Sequence, residues 1–480
     1  MTRSTRLHWR LFMRPSPARL AGLACLALGA CSQIPPYDVP AMPLATHYAE
    51  PVPGWMTAAP ADALTRGPWW QLFGDPALDT LAAQVTVSNQ TVAAARAAVD
   101  QSQALVRESR AGWFPDLTIS AGATRSGAGS GSTTAAGNRY TLGLGASWEP
   151  DVWGRVSAAV AGAGARAQAS AADLAAATLS AQAALIVDYL SVREADAEIA
   201  ILRTTIEGYD RALKITSNRY AAAIAQKSDV LQAQTQLANA QADLAALQQQ
   251  RQQTLHALAV LAGQSPSSFT LPAGPWMPEA LPAIPAGLPS DLLQRRPDIA
   301  AAERSVAAAN ADIGVARSAY FPALTLSASG GQSASRLADL FNASATTWSL
   351  GLAVAETLFD GGLRNAQVEA ARAAWRGSVA QYRQTVLTAF ANVEDQLAAA
   401  DSLQQQQALR REASQAADQT EQQMLNRYRE GIVGYTDVVT AQATALSARR
   451  ALLQVSLARQ SAAVQMIEAL GGGWQAAASD

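Results

Sequence analysis

The stretch RYREGIVGYTDVVTAQ, residues 427–442, has an earlier copy, RYAAAIAQKSDVLQAQ, at residues 219–234. Arg, Tyr, Asp, Val, Ala and Gln recur in the same order at an offset of 208. FPDLTIS at 114–120 returns as FPALTLS at 321–327, and Leu-Ala-Gly at 261–263 is echoed by Leu-Gly-Gly at 470–472. Three matched pairs at nearly one spacing mark a tandem duplication, which has to be recognised before local propensities are weighed. A chain of 480 residues is then two copies of a unit of about 200, rather than a string of unrelated domains.

Residue usage points to long, closely packed helices. Hydrophobic residues make up 49% of the chain but aromatics only 6%, so small side chains, alanine above all, must fill most contacts. There is no proline from 151 to 265 or from 323 to 480. Within these spans the pattern predicts a long helix over 154–218 and a return helix over 229–261, with a second pair over 363–429 and 437–470. A shorter helix precedes each pair. The first of these opens at Asp75-Pro76, where Asp suits the cap and Pro the first turn, and runs from 78 to 110; the second covers 291–318. Two shorter helices end to end match one long helix, so each repeat builds two rods of equal length. A tube ~100 Å long is expected, with a solid bundle as the alternative.

Between the first helix and the long one the period falls to two. Leu117, Ile119 and Ala121 alternate with Thr118, Ser120 and Gly122; after a Gly/Ser/Thr-rich loop, Tyr140, Leu142, Leu144, Ala146 and Trp148 alternate with small polar residues. The second copy repeats this with Leu324, Leu326 and Ala328, then Trp348, Leu350, Leu352 and Val354. Strands of about 10 residues with one apolar face suit a membrane β-barrel. Trp113, Phe114, Trp148, Trp153, Tyr320, Phe321, Trp348 and Phe359 are then its membrane-interface aromatics. Four strands cannot close a barrel, and open edges are not tolerated in lipid. The barrel must be shared between chains: eight strands in a dimer, twelve in a trimer, and an aqueous lumen favours twelve.

The first 30 residues carry five arginines, no acid, and an apolar run from 20 to 30 that ends at Cys31. This is a secretory signal, too short to span a membrane. Leu28-Gly29-Ala30-Cys31 resembles the bacterial lipoprotein box, in which the cysteine takes the lipid, and Ser32 after it favours outer-membrane sorting. Losing the five arginines leaves 31 basic residues against 38 acidic, a net charge of −7, with no basic patch for nucleic acid. The other cysteine, Cys25, leaves with the signal, so the mature chain can hold no internal disulfide. No later stretch offers ~20 unbroken apolar residues for a transmembrane helix. The expected organisation is a signal peptide (1–30), a lipidated Pro-rich arm (31–75), repeat 1 (76–265), a linker with seven prolines (266–289), repeat 2 (290–473) and a short tail (474–480).

LPSDLLQRRPDI at 288–299, Ala302-Glu303, NADIGVA at 310–316 and LFDGG at 358–362 together resemble the hallmark stretches of the TolC-type outer-membrane efflux proteins, in particular their lipoprotein branch. The resemblance covers essentially the whole mature chain. It implies a mainly α protein with a membrane β-barrel: long α-helical hairpins and two β-hairpins per chain, assembled into a shared 12-stranded barrel and a long α-helical barrel. It implies a passive exit channel in a homotrimer, lipid-anchored in the outer membrane and extending into the periplasm. A periplasmic adaptor opens it and an inner-membrane pump drives it. The alternative function is a periplasmic adaptor lipoprotein with a helical hairpin, which needs neither four strands nor a duplication.

Catalytic chemistry is scarce. The mature chain has two histidines, His47 and His256, and no HExxH, CxxC or phosphate loop; neither an enzyme nor a metal site is expected, and the only attached group is the covalent lipid on Cys31. Asp229 and Asp437 follow Ser228 and Thr436 at the start of the return helices. An acid there complements the helix dipole, or, arranged around an axis, forms a ring that constricts the passage and disfavours anions. The resemblance places a periplasmic gate at these turns, held by Arg427, Tyr428 and Asp437 in the second copy and Arg219, Tyr220 and Asp229 in the first. Ala223 stands where the second turn has Gly431, and Thr440 where some relatives have a second acid. Gly431 and Gly434 form the gate hinge, so the second hairpin is expected to move more.

Overall fold

The computed structural model describes residues 33–42, 67–127, 137–276 and 295–472. The signal peptide, Cys31, His47, the C-terminal tail and much of the arm and linker lie outside them. The helices are α1 (Pro76–Ser88), α2 (Gln90–Ala111), α3 (Arg155–Ala221), α4 (Lys227–Leu261), α5 (Pro297–Ser318), α6 (Leu363–Arg429) and α7 (Tyr435–Ala469). The strands are β1 (Asp116–Ser126), β2 (Gly137–Trp148), β3 (Ala323–Ala334) and β4 (Thr346–Ala355). Helices α3 and α6 each have 67 residues, roughly 100 Å at 1.5 Å per residue; α4 and α7 each have 35.

One expected helix is two. The pattern over 78–110 breaks at Asn89, whose ψ of 126° leaves the helical region. Its side chain explains the break: Oδ1 accepts from Val92 N at 3.0 Å, capping α2, while Nδ2 donates to Leu261 O at 2.8 Å. The start is as expected. Asp75 accepts from Ala77 N at 2.9 Å with Pro76 in the first turn. A second difference concerns α3, which by length and composition alone is apolar enough to cross a membrane; alanine, which counts as apolar but carries little surface, produces this.

The chain divides into two compact units. One gathers Gln101–Ala167, Arg304–Val379 and the described residues up to Val39. It holds a single antiparallel sheet in the order β1-β2-β3-β4. The register aligns the alternation seen in the sequence. Leu117 faces Ala146, Ile119 faces Leu144, Ala146 faces Ala328, Leu326 faces Leu352 and Leu324 faces Val354. Thr118 with Gly145, Ser120 with Gly143 and Ser329 with Ser349 fill the opposite face. Cross-strand partners share a face, so one side of the sheet is mainly apolar, with Arg125, Asn138 and Gln332 farther from the helices, and the other is mainly Ser, Thr and Gly, with Arg139.

The other unit gathers the described residues of Pro40–Asp100, Gln168–Glu303 and Ala380–Asp480. Its main core packs Trp69, Phe73, Leu78 and Val85 against Leu185, Ile186 and Tyr189 of α3, Leu258 of α4 and Ile467 of α7. The LLQRRPDI stretch has a structural task here: the buried Arg296 donates to Ala469 O at 2.8 Å and to Asp298 at 2.7 Å.

Candidate functional site

The two reversing turns share one backbone. After α3, Ile224 N bonds Arg219 O at 2.8 Å and Ala223 N bonds Tyr220 O at 2.9 Å; after α6, Ile432 N bonds Arg427 O at 2.9 Å and Gly431 N bonds Tyr428 O at 3.0 Å. Both are Schellman closures, which put the residue after the cap in the left-handed region. Gly431 occupies it at φ 79°, and Ala223 occupies it too, at φ 59°. Ala223 is thus not more restricted in shape but held in a conformation that a Cβ opposes. Gly434, with φ −74° and ψ 161°, is extended, a conformation open to any residue.

The side chains at the turns are not symmetric. Arg219 donates to Tyr428 O at 2.9 Å and lays its guanidinium 4.8 Å from the centre of the Tyr428 ring. Tyr428 is buried, its hydroxyl 3.3 Å from Thr216 Oγ1 and its ring 5.3 Å from that of Tyr435. Burial pushes the Tyr435 hydroxyl up to about 12. Tyr220 is instead 45% exposed, with Lys227 Nζ 5.4 Å from its ring. Arg427 is exposed. Asp229 is half-buried and Asp437 exposed; each is the third residue of its helix, where no side chain caps. Of the six gate residues, the fold therefore brings Arg219 and Tyr428 together. The sequence reading missed Thr216 and Tyr435. Tyr435 was visible within the quoted stretch, as an aromatic where the first copy has Lys227.

Seven of the eight expected interface aromatics flank the strand ends nearest the helices. Trp148 Nε1 donates to Trp113 O at 3.0 Å, Trp153 Nε1 donates to Pro322 O at 2.7 Å, and Trp153 stacks on Phe321 at 5.0 Å. Phe114, Tyr320 and Phe359 are exposed there. Trp348 stands apart, opposite Gly330 and seven residues before the end of β4, roughly 23 Å along the strand.

The LFDGG turn is built around Asp360 and Arg364. Asp360 accepts from Gly362 N at 2.9 Å and from Arg364 Nε at 2.6 Å, and Gly361 and Gly362 take φ of 65° and 94°. The Arg364 bond, with the two backbone amides, holds the Asp360 carboxyl down at about 2. At the matching point of the first copy, Asp151 accepts from Val156 N at 2.8 Å and Ser157 N at 2.7 Å. Both turns thus fix the passage from strand to long helix with a carboxylate on helix-terminal amides. The NADIGVA stretch receives the arm: Asn310 Nδ2 donates to Pro35 O at 2.9 Å, and a Cβ on Gly314 would lie 3.0 Å from Ile34 Cα.

Among the described residues no group of three or more His, Cys, Asp or Glu could hold a metal ion. The outer membrane efflux protein model matches residues 81–264 and again 288–472. The chain is 34% identical over 462 residues to the pyoverdine export outer membrane protein OpmQ of Pseudomonas aeruginosa, covering 94% of this chain and 96% of that one. It is 32% identical to the toluene efflux pump outer membrane protein TtgC of Pseudomonas putida, covering 93% of each. A solved CusC structure superposes with a TM-score of 0.83 at 28% identity, covering 92% of this chain and all of the other. Two matches that together take in both long helical pairs and all four strands establish that the chain belongs to the outer membrane efflux protein family.

Proposed function

We propose that the chain is the passive exit duct of a tripartite efflux system, assembled as a homotrimer around a shared 12-stranded barrel and an α-helical tube. As a member of its family it is an outer-membrane channel and not an enzyme. The sheet is the observation that carries the assembly. It is open, with β1 and β4 at its edges, and its register separates an apolar face from a Ser/Thr/Gly face. An open edge in lipid leaves backbone groups unpaired at several kcal/mol each, so β1 of one copy pairs with β4 of the next. Three copies give twelve strands and a lumen lined by small polar residues.

The equal helix lengths and the twofold match of the family model support reading residues 76–265 and 290–473 as two repeats, joined by the linker at 266–289. In this reading Cys31 is lipidated after removal of the signal, and an adaptor opens the turns at 219–226 and 427–434. An inner-membrane pump supplies the energy and sets the cargo. Relatives of comparable identity are named for pyoverdine export and toluene efflux, as suits a duct that does not choose.

The test is native mass spectrometry and single-channel recording on protein extracted from outer membranes. A trimer carrying lipid, lost in Cys31→Ala, and a conductance that rises on adding the adaptor are expected. A monomer, or a trimer that never conducts, overturns the reading.

A further inference from the structure

The charges of the sheet are sorted along its strands. Within β1 to β4 the charged residues are Asp116, at the end of β1 next to the helices, and Arg125 and Arg139 at the opposite end. Arg336 joins the arginines, two residues past the end of β3 with an extended backbone, φ −125° and ψ 142°. Residues 127–136, between β1 and β2, add no charge. Arg125 faces Asn138, and the β2–β3 register, continued by two residues beyond its pair Tyr140–Ala334, sets Asn138 opposite Arg336. An Arg-Asn-Arg row thus crosses three strands on the mainly apolar side of the sheet. The next row inward on that side is Ala123, Tyr140 and Ala334, a tyrosine between two small residues. Arg125 and Arg336 are exposed, and among the described residues neither has an ion-pair partner. Asp339, the acid nearest Arg336 in sequence, accepts from Asn342 at 3.3 Å instead.

We propose that Arg125, Asn138, Arg336 and Tyr140 bind the phosphate of a lipid headgroup in the outer leaflet of the membrane. The proposal rests on the barrel reading above, which sets this side of the sheet against lipid and its helices in the periplasm. Arg125 stands nine residues beyond Asp116, the first residue of β1, roughly 30 Å along the strand and, at the ~40° tilt of a membrane barrel, roughly 23 Å along the membrane normal. That is about the height of the outward apolar band of such a barrel, so the row lies at the headgroups of the far leaflet. An arginine on the lipid face is costly at the bilayer centre and tolerated at the interface, where the amphipathic ring of Tyr140 is also at home. The four side chains offer donors without a carboxylate among them: two guanidinium forks, which match phosphate oxygens bidentately, an amide and a phenol. Long arginine side chains can converge across the asparagine on one phosphate. Leu337 and Phe341, 63% and 73% exposed, follow Arg336 and add apolar surface for acyl chains beside the headgroup.

The experiment uses the full chain extracted from outer membranes, stripped of lipid in mild detergent and followed by native mass spectrometry as diphosphoryl lipid A is added back. The parent trimer is expected to bind it, and Arg125→Gln combined with Arg336→Gln to weaken binding about 25-fold, about fivefold for each arginine. Arg139→Gln, on the opposite face, is expected to bind as the parent does. The same glycolipid with its phosphates removed tests the site without altering the chain, and is expected to bind the parent no better than lipid A binds the double variant. Inorganic phosphate is expected not to compete. A trimeric double variant that binds lipid A as the parent does overturns the proposal, as does equal binding of the phosphate-free lipid or an equal loss in Arg139→Gln. Competition by inorganic phosphate would overturn the assignment to a lipid. A monomer would bring down the barrel reading, and the proposal with it.

Discussion

Glu194 and Glu198 lie one turn apart on α3, 7% and 4% exposed, and Arg450 of α7 places its Nε 2.6 Å from Glu198 Oε1. Arg450 also reaches Asp243 of α4 at 3.4 Å. Glu194 Oε1 finds no hydrogen-bond partner among the described residues. Burial, then the neighbouring Glu198 charge, pushes the Glu194 carboxyl up to about 7, against the pull of Arg450.

Glu194 therefore makes stability depend on pH. Its unfolded carboxyl titrates near 4.5 and its folded one near 7, so between these values the folded state holds the extra proton. Its contribution is most favourable below pH 4.5, declines as pH rises to 7 and is flat above. Glu194→Gln keeps the neutral shape at every pH. The thermal midpoint should rise at pH 8, from a difference of at most about 3 kcal/mol, and stay unchanged at pH 4. A variant equally stabilised at both would show that charge is not the cause.

Asp437 is exposed at the third position of α7 and caps nothing. As an acid in the first turn it contributes about 0.3–1 kcal/mol to the helix. If it also rings the opening, Asp437→Ala raises single-channel conductance in planar bilayers and weakens the preference for cations. Conductance and selectivity equal to the parent would leave only the helix-terminal role.

Ala223 and Gly431 occupy the same left-handed position of the same turn. Ala223→Gly removes a Cβ strain of about 1–2 kcal/mol and, after the roughly 0.4–1 kcal/mol of entropy that glycine adds to the unfolded chain, is expected to stabilise by a net of about 0.5–1 kcal/mol. Gly431→Ala is expected to destabilise by about 1 kcal/mol. Thermal midpoints of the two variants should move in opposite directions; movement in the same direction would refute the shared geometry.

Gly314 meets the arm with no room to spare. Gly314→Val, and separately Asn310→Ala, which removes the bond to Pro35, should release Ile34 and Pro35 from α5. Limited proteolysis should then cleave within 33–42 faster than in the parent, with the rest of the chain unaffected. Equal rates would mean that the arm is held elsewhere.

Much of this architecture was legible in the residues because helix length and strand alternation are local properties. Absence of proline predicted α6 over 363–429, and the structure has Leu363–Arg429; alternation placed Leu117, Ile119 and Leu144 on one face, and the register joins them. Asn89 escaped because its bond to Leu261 O comes from 172 residues away. The choice of Arg219 rather than Arg427 to hold a tyrosine escaped for a related reason. The sequence by itself determined two equivalent Arg-Tyr pairs, since duplication copies residues and the backbone bonds that follow from them. Only the tertiary structure decided that one arginine is covered and the other exposed. Within a single chain Arg219 meets Tyr428 of the other repeat while Arg427 is left exposed, and packing, unlike propensity, depends on which neighbour is present.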